Sequence, residues 1–107
     1  MVKEIDSSEL QDQIVAGDEL QLFDIRSDSE VAQGILPNAV HLPMHLIPVK
    51  IHDVPKDCKV VLYCHSGARS FHACQFLMQH GYDNVINLRG GILAWARHGF
   101  DIVSLRR

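Results

Sequence analysis

The sequence predicts an α/β domain in which a parallel β-sheet carries helices on both faces. Two observations support this reading. Short apolar, β-branched segments alternate along the chain with stretches of helical periodicity. Glycines close the helical stretches at Gly17, Gly34, Gly81 and Gly99. Strands separated by helices do not pair through tight hairpins, so the crossovers leave them parallel and set helices over the sheet. Ligands of such sheets sit beyond the carboxyl ends of the strands.

Taken in order, Ser7 or Ser8 is placed to cap a helix running to about Ala16, with Gly17 as its stop. Leu20–Ile25 alternates and then turns apolar, as a strand does. Asp28 to Gln33 reads as a short helix closed by Gly34. Beyond the Pro37-Asn38 turn, Ala39–Leu42 reads as a short strand. Pro43 to Ile51 is read as a short helix broken by Pro48. Lys59–Cys64 is a buried strand without Gly or Pro. Phe71–His80 is a helix with Phe71, Cys74, Leu77 and Met78 on one face. Val85–Leu88 is a further strand. Gly90-Gly91 lead into a last helix, Ile92–Arg97, and the tail Phe100–Leu105 is expected to lie extended. Asp24, Cys64 and Leu88 each end a strand. Asp24-Ile25-Arg26, the segment after Cys64 and Arg89-Gly90-Gly91 should therefore meet at one rim.

A chain of 107 residues holds one core and not two, so a single domain over 1–107 is expected. Apolar content of 47% and charged content of 21% suit an ordinary globule. A net charge of −3 gives no electrostatic basis for a nucleic-acid or membrane partner. No apolar stretch approaches the ~20 residues that span a bilayer. The start Met-Val-Lys-Glu-Ile-Asp lacks the apolar segment of a signal peptide, and a cytoplasmic location is expected.

The three cysteines, Cys58, Cys64 and Cys74, are odd in number and form no C-x-x-C pair. That argues against a disulfide framework and against a zinc or thioredoxin-type motif. Cys74 lies on an apolar helix face and reads as a small core residue. Cys58 sits in a polar turn and reads as partly exposed. His41 and His45 are i, i+4, but Pro43 interrupts any helix between them and His52 completes no set; no metal is expected.

The chemistry concentrates in Cys64-His65-Ser66-Gly67-Ala68-Arg69-Ser70, between a strand and a helix. Free N–H groups and the positive dipole end at a helix N-terminus favour an anion there. The same field lowers a cysteine pKa, and the thiolate is the nucleophilic form. Such a loop can attack phosphorus while its amides hold phosphate oxygens. It can also attack sulfur and hold the added charge of a persulfide. Four residues separate Cys64 from Arg69, one fewer than in cysteine phosphatases, which narrows the cradle. A phosphatase or arsenate reductase is disfavoured on this count.

Cys64-x-x-Gly67-x-Arg69-Ser70 resembles the active-site loop of rhodanese-type sulfurtransferases. Phe23-Asp24-Ile25-Arg26 followed by Glu30 is similar to that family's first motif. Gly34 to Pro43, with Pro37, Asn38 and Ala39, resembles its second, although Ile35 stands where the family often has His. Leu88-Arg89-Gly90-Gly91, then Ala94-Trp95 and Gly99, resembles its C-terminal signature. The resemblance implies a three-layer rhodanese-like fold with a central five-stranded parallel sheet. It implies transfer of sulfane sulfur through a Cys64 persulfide, without cofactor or metal. Thiosulfate or a protein persulfide would be the donor, and cyanide or a thiol the acceptor. A persulfide carrier or binding module is the alternative.

Around Cys64 several readings stand side by side. Arg69 either binds substrate or fixes the loop through a fork to Glu30 or Asp24, the second being favoured. Asp24 either supports the loop or caps a turn. His65 either tunes the thiolate or faces solvent. Ser66, Gly67, Ala68 and Ser70 supply N–H groups; Gly67 also allows positive φ, and Ser70 bonds the sulfur or caps the helix. Arg89 either meets an anionic donor or is a solvated arginine. His65 and Ser66 occupy positions where cationic residues would favour thiosulfate.

Overall fold

In a computed structural model, which describes residues 1–105, five strands run parallel in one sheet. They are β1 (Lys3–Ile5), β2 (Leu20–Asp24), β3 (Val40–His41), β4 (Lys59–Tyr63) and β5 (Val85–Leu88), in the spatial order β1-β5-β4-β2-β3. The helices are α1 (Ser7–Val15), α2 (Asp28–Val31), α3 (Ala68–Gln79) and α4 (Gly91–Arg97).

β4 is the central strand, and its alternation divides the core. Val60 and Leu62 point to one face, where Ala73, Cys74 and Leu77 of α3 cover them together with Ile47 and Val54. Val61 and Tyr63 point to the other, against Leu10 of α1, Val31 of α2 and Ile92 and Trp95 of α4. Each fully buried Val or Leu there contributes about 1.5–3 kcal/mol. The parallel register sets Asp24 beside Tyr63, so β2 and β4 end at one rim.

The fifth strand, β1, carries no apolar signal: only Ile5 of Lys3-Glu4-Ile5 is buried. It forms because β5 offers its backbone, pairing Glu4 with Asn87 and Ile5 with Leu88. Asp6, not Ser7 or Ser8, caps α1, in a reciprocal capping box with Glu9. In place of one short helix over Pro43 to Ile51, the chain makes two 3₁₀ turns, Met44–Leu46 and Ile51–Asp53, on either side of Pro48. The tail is extended only locally. Val103 forms an antiparallel bridge with Ile35, and the Trp95 indole N–H donates to the Asp101 carbonyl over 2.8 Å.

Among the described residues, no helix is long and apolar enough to cross a membrane, and no three metal-ligating side chains cluster.

Candidate active site

Beyond Tyr63 the chain leaves the sheet, and Cys64 is 1% exposed at its rim. Gly67 then adopts φ 101°, which reverses the chain and starts α3 at once. The helix begins three residues earlier than its apolar periodicity indicates. Ala68, Arg69 and Ser70 form its first turn, whose amides have no intrahelical partner. The thiol faces that turn: the Gly67 N–H donates to Cys64 Sγ over 3.1 Å, and Ser70 Oγ lies 3.4 Å from the sulfur.

A second helix holds the loop from behind. The N–H groups of Ile92 and Leu93, in the first turn of α4, donate to the carbonyls of Cys64 and His65, each over 3.0 Å. Gly91, at φ 58°, makes this approach possible, because a methyl group there would overlap both carbonyl oxygens. The Gly67 carbonyl accepts from the Phe71 N–H and from the Asn87 amide, each over 3.1 Å.

Burial is the largest single influence on the Cys64 thiol and raises its pKa. The Ser70 hydroxyl and the N–H groups of Ser70, Gly67 and Ser66 outweigh it together, and the thiol lies below its ordinary value. Cys74 has burial without these donors, and its pKa is pushed up to about 12. Cys58 is half-buried at the opposite end of β4.

Arg69 closes a two-pronged ion pair with Glu30 at 2.9 and 2.8 Å, which ties α3 to α2. The Arg69 bonds hold the Glu30 carboxyl down to about 2, against partial burial, with help from Ser27. Asp24 does not share this role. Its carboxylate is fully buried and grips Arg26 through Nη2 at 2.7 Å and Nε at 3.0 Å; Arg26 in turn donates to the Gly34 carbonyl at 2.7 Å. The pair shapes the turn after β2 and does not reach the sulfur loop.

Arg89 exposes its side chain and approaches Asp6 at 3.6 Å, while its backbone lies behind Gly67. His65, Ser66 and Ala68 form the exposed lip. A depression of about 730 Å³ borders Arg69, lined by Ile25, Ser27, Pro43, Met44 and His45.

Two residues escaped the sequence reading. Arg26 stood within a recognised motif, but its burial depends on Asp24 and Gly34. Asn87 is 1% exposed in the middle of an apolar strand and bonds Ser70, Gly67 and Glu4. An asparagine flanked by Ile86 and Leu88 was the available signal, since strands disfavour this residue.

The profile of the Rhodanese-like domain family matches residues 6–98. A protein named sulfurtransferase from Allochromatium vinosum is 56% identical over 104 residues, covering 97% of this chain and 97% of that protein. The crystal structure of a rhodanese-like domain protein from Staphylococcus aureus superposes with a TM-score of 0.86 at 33% identity, over 96% of this chain and all of that one. A rhodanese-related protein from Thermoplasma volcanium also gives 0.86, at 29% identity over 94% of this chain and 97% of that one.

Proposed function

The chain belongs to the rhodanese-like domain family, and on that premise we propose that it transfers sulfane sulfur through a persulfide on Cys64. Family membership and the sulfurtransferase name of the Allochromatium relative support sulfur transfer in general. The observation that carries the more specific reading is the donor set around one sulfur. The Gly67 N–H, from the residue that precedes α3, and Ser70 Oγ, from its first turn, both point at Cys64 Sγ.

With thiosulfate as donor, the Cys64 thiolate attacks the sulfane sulfur. A new S–S bond forms, the old one breaks, and sulfite leaves with the bonding pair. The terminal persulfide sulfur carries the negative charge, and the unpartnered amides of α3 are placed to receive it. A cyanide or thiolate acceptor then attacks that sulfur, giving thiocyanate or a new persulfide and restoring the Cys64 thiolate. No net oxidation occurs.

A second reading, a persulfide carrier between proteins, draws on the charges around the loop. Arg69 is committed to Glu30, and Arg89 lies beside Asp6. The lip residues His65 and Ser66 add no permanent cation. A small dianion such as thiosulfate gains little from this rim, whereas a protein persulfide brings its own contacts.

Intact-protein mass after thiosulfate treatment tests the main reading. We expect one added sulfur in the wild type and none in Cys64→Ala. No added sulfur with thiosulfate or with any persulfide donor would overturn it. Uptake from persulfide donors alone, with slow turnover on thiosulfate, would select the carrier.

A further inference from the structure

Asn87 lies in the middle of β5, and every polar atom of its side chain is engaged. Its Nδ2 donates to Glu4 Oε2 at 2.8 Å and to the Gly67 carbonyl at 3.1 Å, and its Oδ1 stands 2.5 Å from Ser70 Oγ. The amide has one workable orientation. Turned over, its oxygen would face the Glu4 carboxylate and the Gly67 carbonyl, acceptor against acceptor. Oδ1 therefore faces Ser70, and it can only accept.

The Ser70 hydroxyl carries one proton. Asn87 Oδ1 and Cys64 Sγ are both within its reach, at 2.5 and 3.4 Å. Given to Asn87, that proton leaves Ser70 offering the sulfur a lone pair, which suits a neutral S–H donor. Given to the sulfur, it stabilises a thiolate or a persulfide anion. We propose that Asn87, braced by Glu4, is a positioning residue that competes with Cys64 for the Ser70 proton. The loop then answers a charge on sulfur by turning a single hydroxyl, with no movement of the backbone. This rests on the reading of Cys64 as the sulfur-carrying nucleophile.

The charged and titratable groups around the loop are Arg69 with Glu30 on α2, His65 in the lip, Arg89 after β5 with Asp6, and Glu4 on β1. Of these, Glu4 is the one hydrogen-bonded to Asn87.

The test is the pH dependence of Cys64 alkylation by iodoacetamide, with the adduct located by peptide mass, in the wild type, Asn87→Leu, Ser70→Ala and the double variant. Asn87→Leu frees the hydroxyl for sulfur, so the alkylation midpoint should fall by roughly half to one pH unit. Ser70→Ala should raise it. In the Ser70→Ala background Asn87→Leu should produce no further shift, because no proton is left to redirect. An equal shift in both backgrounds would mean that Asn87 acts only by holding Gly67, and overturns the proposal; so does an upward shift in Asn87→Leu alone.

Glu4→Ala and Glu4→Gln keep the test open should Asn87→Leu fail to fold. Glu4→Ala releases the amide and should lower the midpoint, whereas Glu4→Gln keeps an acceptor and should lower it less. Equal shifts, or none, overturn the proposal. Alkylation needs no sulfur donor, so a failure here is distinguishable from a failure of the persulfide mass test.

Discussion

Arg69 holds Glu30 with both prongs of its guanidinium, joining the first turn of α3 to α2 across 39 residues of sequence. The carboxyl pKa falls from 4.5 to about 2 on folding. A group depressed in this way stabilises the fold above its unfolded value and loses that contribution as pH falls through the folded one. Wild-type stability should therefore drop between about pH 4.5 and 2 more steeply than that of Glu30→Gln, as read by urea denaturation. At neutral pH the two should differ by no more than about 1 kcal/mol, since both side chains keep solvent contact. Parallel pH profiles would remove Glu30 from the account of acid sensitivity.

If the pair acts as a unit in turnover, its members should not add. Arg69→Ala and Glu30→Ala should each slow sulfur transfer to a similar extent, and the double variant should be no slower than the worse of them. An Arg69 that binds the donor directly would instead be released by Glu30→Ala, and turnover on thiosulfate would rise.

The buried pair after β2 should behave differently. Asp24→Ala leaves the Arg26 guanidinium, 5% exposed, without its carboxylate. The expected cost is about 3–5 kcal/mol of unfolding free energy. Thermal and urea denaturation report it directly, and a loss under about 1 kcal/mol would contradict the geometry.

Gly91 and Gly17 both have positive φ, at 58° and 79°. An added methyl meets nothing within 4 Å at Gly17, but overlaps the Cys64 and His65 carbonyls at Gly91. Gly17→Ala should cost about 1 kcal/mol, the backbone preference alone. Gly91→Ala should cost well over that and should also reduce sulfur uptake, because the loop must shift. Equal losses in the two variants would show that α4 does not hold the loop.

Much of this was legible in the sequence, because the signals were local. β2, β4, β5 and α4 follow from apolar runs and glycine stops, and the Cys64 loop from its residue order. The Arg69 fork was legible as a type, though its partner, Glu30 rather than Asp24, depends on how α2 is set. β1 was not legible, since Lys3-Glu4-Ile5 is a strand only through its pairing with β5. The start of α3 at Ala68 was hidden for another reason. The first turn serves the sulfur and not the core, so its residues lack the apolar spacing that marked Phe71 onward. Asn87 was the same conflict in a strand: a polar residue kept where packing alone would place a hydrocarbon.

On the proposed persulfide mechanism, the placement of the three thiols limits the traffic of sulfur. Cys58 and Cys64 bracket β4, and six extended steps put them about 20 Å apart. Cys74 is sealed in the core, with its proton held to about pH 12. Cys58 is too far to reach back to a persulfide on Cys64 and discharge it as an internal disulfide, and Cys74 offers little of the thiolate that such an attack needs. A sulfur loaded there would have no ready exit through either of the other two thiols. It would wait for a visiting nucleophile, so the lifetime of the loaded form would depend on the company the protein keeps.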